Sequence, residues 1–237
     1  GDRWILCLQK AKPEQIRRWP EIIKRIEAVR KFRTTEGGNL SKSLAETPLA
    51  FHVTVIPESP FLAIPEVSSE RREYVPFGWL EPPVVPSNKI IVVDKASFWL
   101  FGVISSKMHM AWLRHIGGRL KSDYQYSSGI VYNTFPWPSA TPAQTQKIEF
   151  LGQAILDARA EYPEATLADL YDPDTMPPNL RRAHKTLDTA IDKLYRPAPF
   201  TSDRERVEHL FTLYEKLSSP ALAAMAAPRP KRRKTPL

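Results

Sequence analysis

Lys121, Asp123 and Gln125 stand two residues apart in the stretch Lys121-Ser122-Asp123-Tyr124-Gln125-Tyr126. On an extended strand they share one face, with Ser122, Tyr124 and Tyr126 on the other. The three types on the first face are those that read base edges in the major groove. Lys donates to guanine O6 and N7, Asp accepts from cytosine N4, and Gln pairs with adenine through two hydrogen bonds. Backed by two tyrosines in a chain of formal net charge +8, the strand reads as a DNA-reading element. The same alternation also describes an ordinary half-buried strand, so the pattern needs support from elsewhere.

Two other segments carry compatible chemistry. Asn88 and Lys89 precede the apolar run Ile90–Val93, where they could reach a base edge or a phosphate, or serve as plain turn residues. Ser69, Arg71 and Arg72 combine a hydroxyl with two guanidiniums in a loop between strands. That set suits gripping phosphates, which positions a protein without reading sequence; an exposed polar loop has the same composition. Glu66, Glu70 and Glu73 flank Arg71 and Arg72 and read as a solvated charge run rather than an acid/base pair. Trp112 and Arg114 read as packing and snorkelling residues.

Chemistry of other kinds finds no footing. With 9 glycines, none at fingerprint spacing after a strand, neither a dinucleotide cradle nor a P-loop is formed. His109 and His115 lack neighbouring carboxylates, and His52, His184 and His209 are scattered, so no metal site is expected. No Ser-His-Asp or Cys-His grouping has supporting spacing, and no catalytic residue is assigned. The one cysteine, Cys7, excludes a disulfide framework. Its apolar neighbours predict a buried thiol, consistent with a reducing, cytoplasmic compartment. The apolar runs are too short to span a bilayer, so no membrane partner is expected. The start has neither a signal peptide's layout nor an initiator Met, as in a piece of a longer chain.

The elements that must position these residues fall into two regions. At 237 residues, 42% hydrophobic and 25% charged, the chain has room for one large or two modest domains. Residues 1–138 read as β-rich. Ile5–Leu8, Phe51–Ile56, Phe61–Ile64, Tyr74–Leu80, Ile90–Val93 and Phe98–Ile104 are short strand-like runs punctuated by prolines. A helix follows Pro20 to about Phe32, Thr34–Ser43 is a loop, and Ser106–His115 is a helix closed by Gly117-Gly118. Arg119–Tyr132 reads as a hairpin turning near Ser127-Ser128-Gly129. Residues 139–218 carry helical stripes starting at Thr141-Pro142, around Leu180–Leu194, and after a capping box at Ser202 and Glu205. Residues 219–237 form an Ala/Pro-rich tail, expected to be disordered, with the basic run Lys231-Arg232-Arg233-Lys234. The fold class is α+β: a β-rich recognition domain followed by a small helical domain.

Several stretches resemble the MmeI-like enzymes. They are Ile64-Pro65-Glu66-Val67-Ser68-Ser69-Glu70-Arg71-Arg72, Gly118-Arg119-Leu120-Lys121-Ser122-Asp123-Tyr124 and Ile130-Val131-Tyr132-Asn133-Thr134-Phe135-Pro136-Trp137-Pro138. Ala165–Asp172 and Arg204–Glu208 extend the resemblance over nearly everything before the tail. Such proteins are bacterial and combine restriction with adenine-N6 DNA methylation, or keep methylation alone. The resemblance implies a target recognition domain over residues 1–138, a helical C-terminal domain over 139–218, and double-stranded DNA as partner. Lys121 and Asp123 then correspond to a pair of positions that vary together and read the base pair beside the methylated adenine. Lys donating to guanine and Asp accepting from its paired cytosine predicts G on the methylated strand. Gln125 with Lys89 resembles a second reading pair, and Arg119 joins Arg71 and Arg72 as a phosphate grip. The family's nuclease, cofactor-binding fold and Asn-Pro-Pro-aromatic motif are not in this chain. S-adenosylmethionine is thus implied for a parent enzyme, whose methyltransferase domain is an expected partner, and no cofactor for this chain. On the residues alone, a protein-docking module or a single-stranded RNA binder stacking bases on Tyr124 and Tyr126 stays open.

Overall fold

The computed structural model describes residues 4–51 and 56–226, which fall into two compact units divided between Ile56 and Pro57. The first contains α1 (Pro13–Arg17), α2 (Pro20–Thr35) and α3 (Asn39–Ser43). Proline occupies the first turn of α1 and α2, where its missing N–H leaves no bond unmade. The Arg33 guanidinium donates to the carbonyl oxygens of Leu44, Thr47 and Ala50 at 3.0, 2.8 and 2.7 Å, fastening the segment after α3 to α2. Three expectations change here. Ile5–Leu8 is irregular rather than a strand, Thr34–Ser43 is mostly helical, and Cys7 is exposed. Residues 52–55 of the expected strand at 51–56 lie outside the described residues.

The second unit runs β1 (Phe61–Pro65), β2 (Val67–Ser68), β3 (Gly78–Leu80), β4 (Ile90–Asp94), α4 (Phe98–Ile104), α5 (Lys107–Ile116), β5 (Gly118–Leu120) and β6 (Asp123–Gln125). After a π-helical turn at Ser128–Tyr132 come α6 (Pro142–Ala160), α7 (Leu167–Leu170), α8 (Pro178–Tyr195) and α9 (Asp203–Ala226). Two antiparallel three-stranded sheets form, ordered β3-β1-β4 and β2-β6-β5. Phe61 through Ile64 are buried on both faces of β1, as a central covered strand requires. The α+β class expected from the sequence is what is found.

Phe98–Ile104 is a helix, not the expected strand. Ser97 caps it, its Oγ accepting from Leu100 N at 3.2 Å, and Phe101 through Ile104 are all buried. A seven-residue apolar run surrounded by packing partners has no visible period. Gly102 lets α4 lie directly on α6: a Cβ there would sit 2.7 Å from Ile148 Cγ2.

A polar chain inside this core ties strand-bearing segments to the later helices. Arg159 donates to Phe77 O at 2.8 Å and to the Tyr171 hydroxyl, and that hydroxyl donates to His184 Nε2 at 2.7 Å. His184 Nδ1 donates in turn to Ser105 O at 3.1 Å, and its ring stacks on Tyr74 at 4.0 Å. The Tyr74 hydroxyl and Lys107 N both donate to the Asp188 carboxylate, each at 2.7 Å. Burial pulls the His184 and His109 pKa values down to about 3 and pushes Asp188 up to about 6.

α9 continues to Ala226, so the segment expected to be disordered from residue 219 begins as helix. The Ala-rich run at 221–226 has the highest intrinsic helix propensity. Residues 227–237, with the basic run, lie outside the described residues.

Candidate nucleic-acid interface

β5 and β6 pair Gly118 with Gln125, Arg119 with Tyr124 and Leu120 with Asp123. That register leaves Lys121 and Ser122 as a two-residue loop, and Lys121 takes a left-handed φ of 57°, the sign such tight hairpins favour. The hairpin therefore turns at Lys121-Ser122, not near residues 127–129. Those residues coil into the π-helical turn, with Ser127 O accepting from Val131 N at 2.8 Å. Lys121 is consequently not on the strand face expected for it: it stands exposed at the tip. Asp123 and Gln125 keep the shared outward face, opposite buried Tyr124.

Each member of the hairpin has its own support. Asp123 Oδ1 accepts from Glu70 N at 3.2 Å. The Arg119 guanidinium lies 4.1 Å over the Tyr124 ring and donates to Ser122 O at 3.0 Å, so this arginine braces the tip. Gln125 is exposed, and its Oε1 lies 3.1 Å from where a Cβ on Gly118 would be. Tyr124 and Tyr126 are 7% and 3% exposed, with the Tyr126 hydroxyl 2.9 Å from His109 Nε2. Buried in this way, neither tyrosine offers a face for stacking bases, which removes the single-stranded RNA reading.

Glu66 joins the two sheets. Its N–H donates to Lys89 O at 3.1 Å, and its carbonyl accepts from Tyr126 N at 2.8 Å. The next residue, Val67, pairs with Gln125. Residue 66 thus lies between the Asn88-Lys89 turn and the end of β6, which brings Lys89 and Gln125 to opposite sides of one backbone. The Lys89 ammonium is 3.4 Å from Glu66 Oε2, and Asn88 is exposed beside it. Glu66 is the residue that sequence reasoning missed. Its separation from Lys89 by 23 residues carries no spacing signal, and only the strand pairing reveals it.

The phosphate candidates differ in availability. Arg71 pairs with Asp174 at 2.6 Å; both ends are largely exposed, so the pair contributes little and is open to competition. Ser69 Oγ accepts from Arg71 N at 3.4 Å, and Ser69 O from Arg72 N at 3.2 Å, closing a turn that carries both guanidiniums. Arg72 is half-buried. Positive charge lies mostly elsewhere. Residues 1–56 hold 11 Lys and Arg against 6 Asp and Glu, residues 57–226 hold 18 against 20, and residues 227–237 hold 5 basic side chains and no acidic one. Among the described residues no cluster of His, Cys, Asp and Glu could hold a metal ion, and no helix is long and apolar enough to cross a membrane.

The chain is 40% identical over 218 residues to DNA methyltransferase A of Bacillus subtilis (strain 168), covering 92% of this chain but 25% of that protein. It also superposes on the structure of the Type IIL restriction-modification enzyme MmeI in complex with DNA. The TM-score is 0.87 at 40% identity, covering 91% of this chain and 29% of that one. The chain therefore spans between a quarter and a third of the length of these relatives. Residues 1–139 match the family model of the MmeI target recognition domain and residues 140–222 that of the MmeI C-terminal domain, so the chain belongs to the MmeI family.

Proposed function

We propose that this chain reads DNA sequence for an S-adenosylmethionine-dependent adenine-N6 methyltransferase of a restriction-modification system. Residues 1–138 act as its target recognition domain and 139–218 as the helical domain that braces it. The observation that carries this reading is the β5–β6 hairpin, which presents an unpaired ammonium at its tip beside a carboxylate held from behind. A two-stranded ribbon fits the major groove. There Lys121 donates to guanine O6 and N7 while Asp123 accepts from N4 of the paired cytosine. G is thereby read on the methylated strand, beside the target adenine. Gln125 and Lys89, on either side of Glu66, address the neighbouring pair, with Asn88 at its margin and the Glu66 carboxylate as a further acceptor. Arg71, Arg72 and Ser69 contact phosphate, and Arg119 contributes mainly by holding the tip.

The residues of this chain do not fit the methyl donor. No described strand runs through a glycine-rich turn into a helix, the approach a nucleotide-type cofactor needs. The cofactor and the flipped adenine belong to chain outside this one, and no chemical step is assigned here.

The test is selection by this chain from a randomised duplex pool at moderate salt. Enrichment of a motif containing G next to adenine, abolished by Lys121→Ala, supports the reading. Enrichment that survives Lys121→Ala unchanged, or retention of single strands over duplexes, refutes it.

A further inference from the structure

The outer face of the hairpin sheet is not wholly polar. Leu120 on β5 stands directly across from Asp123, and Val67 on β2 directly across from Gln125. Opposed residues of an antiparallel pair project from the same face, so each polar reader on β6 has an aliphatic side chain beside it. Gly118 marks the same face: a Cβ added there would stand 3.1 Å from Gln125 Oε1. Ser68 and Tyr124, on the opposite face, are buried, so the sheet has already turned one side inward. Leu120 is 54% exposed and Val67 36%, and neither belongs to the core or to the partly buried layer packed against it. Leu120 also lies on an edge strand, since the sheet is ordered β2-β6-β5. Edge strands are ordinarily blunted with charge, because an exposed aliphatic there invites association with other chains. Isolated surface leucines are common; this one is distinguished by its place among the residues that face bases.

We infer that Leu120 reads a thymine through its C5-methyl group, on a base pair adjoining the one addressed by Lys121 and Asp123. This rests on the proposed function and extends it to a further position of the site. In the major groove the thymine methyl is the apolar feature of the base edges, and an aliphatic side chain is its complement. Directly opposed Cβ atoms stand about 4.5–5.5 Å apart, and successive base pairs rise about 3.4 Å along the duplex. With Asp123 on one base pair, Leu120 therefore reaches that pair or the next. The first is G·C, which carries no methyl, so the contact falls on a neighbour. Cytosine at that neighbour would leave Leu120 against a bare C5 edge, and a purine would set it against the polar N7 acceptor. Thymine alone among the four bases covers it.

Replacing thymine by uracil removes that methyl and leaves every hydrogen-bonding group in place, which gives a direct test. The duplex selected by this chain is remade with uracil at each thymine of the motif and its flanks, and equilibrium binding is measured for the wild-type chain, Leu120→Ala and Leu120→Ile. At one position next to the G·C pair, uracil should weaken wild-type binding about fourfold, as expected for one methyl removed from water. Leu120→Ala should bind the thymine and uracil duplexes equally, and Leu120→Ile should restore the difference. The preference for G·C at the Lys121 position should be unchanged in both variants, which shows that the hairpin has kept its shape. Absence of any uracil effect beside the G·C pair would overturn the inference. So would a uracil effect that survives Leu120→Ala, or a Leu120→Ala protein that loses the G·C preference as well, since Leu120 would then only brace the tip. A chain that selects a motif through Lys121 but is blind to uracil loses this contact alone; a chain that selects no motif loses both readings.

Discussion

Replacing Lys121 by glycine should strengthen the fold and weaken its reading of DNA. Lys121 sits at φ 57°, where the Cβ of an L-residue crowds the following carbonyl at a cost of about 1–2 kcal/mol. Glycine removes that strain but brings back about 0.5–1 kcal/mol of backbone entropy. The net expectation is a gain of about 0.5–1 kcal/mol, read as a higher urea midpoint at unchanged slope. The same change deletes the ammonium that donates to guanine. Preference for G·C over C·G at that position should then fall by about 1–3 kcal/mol, or about 5- to 150-fold. The structure supplies the control: Lys95, at φ 52° and exposed, has the same strain and no proposed contact. Lys95→Gly should give a comparable stability gain and an unchanged sequence preference. If Lys121→Gly and Lys95→Gly behave alike in both assays, the Lys121 ammonium does not read that base pair.

Acid should unfold this protein more easily than its isoelectric balance implies. His109 and His184 are held near pKa 3 by burial, below their unfolded value of about 6.5, so their contribution is complete above pH 6.5 and lost as pH falls. Asp188, raised to about 6, acts in the opposite sense and gains as pH falls below 6. From pH 7 to pH 5 the two histidines cost about 4 kcal/mol and Asp188 returns about 1 kcal/mol, a net loss of about 3 kcal/mol. Urea titrations followed by tryptophan fluorescence would show it, and flat or rising stability toward pH 5 would contradict it. Gly102→Ala places a methyl 2.7 Å from Ile148 Cγ2, so overpacking between α4 and α6 should cost about 1–3 kcal/mol in the same titration. Gly118→Ala presses only on the far end of Gln125. It should leave stability nearly unchanged while altering base preference at the Gln125 position and not at the Lys121 position, as duplex selection would report.

How much was legible depended on where the information resides. α6 and α8 could be read directly, since each pairs a proline-bearing first turn with a long stripe at helical period. α4 could not, because its identity is set by a Ser97 cap and by Ile148 packed against it, neither of which alters the pattern of seven apolar residues. The hairpin tip was hidden for a different reason. Lys-Ser carries none of the Gly, Asn or Asp that announce a tight turn, whereas Ser127-Ser128-Gly129 does and is not one. Gly117 stops α5, as a glycine after a helical stretch implies, though with extended backbone at φ −64°. Its lack of a Cβ is required because Leu113 O lies 2.5 Å from where that atom would stand. Cys7 is exposed despite its apolar neighbours, because such neighbours imply burial only when a core receives them. The outward pairing of Asp123 with Gln125 followed from strand alternation alone. Their nearness to Lys89 and Glu66 depends on pairing between distant strands, which no local pattern encodes.

The central claim is that Lys121 and Asp123 read one base pair together, and a reciprocal exchange tests it most directly. Equilibrium binding of the wild-type chain and of Lys121→Glu/Asp123→Arg would be measured on two duplexes differing only by G·C against C·G at that pair. Wild type should favour G·C by about 1–3 kcal/mol and the exchanged protein should favour C·G by a similar amount. Loss of affinity for both duplexes without reversal of preference would show that the hairpin holds DNA but does not read it, and the account would fail.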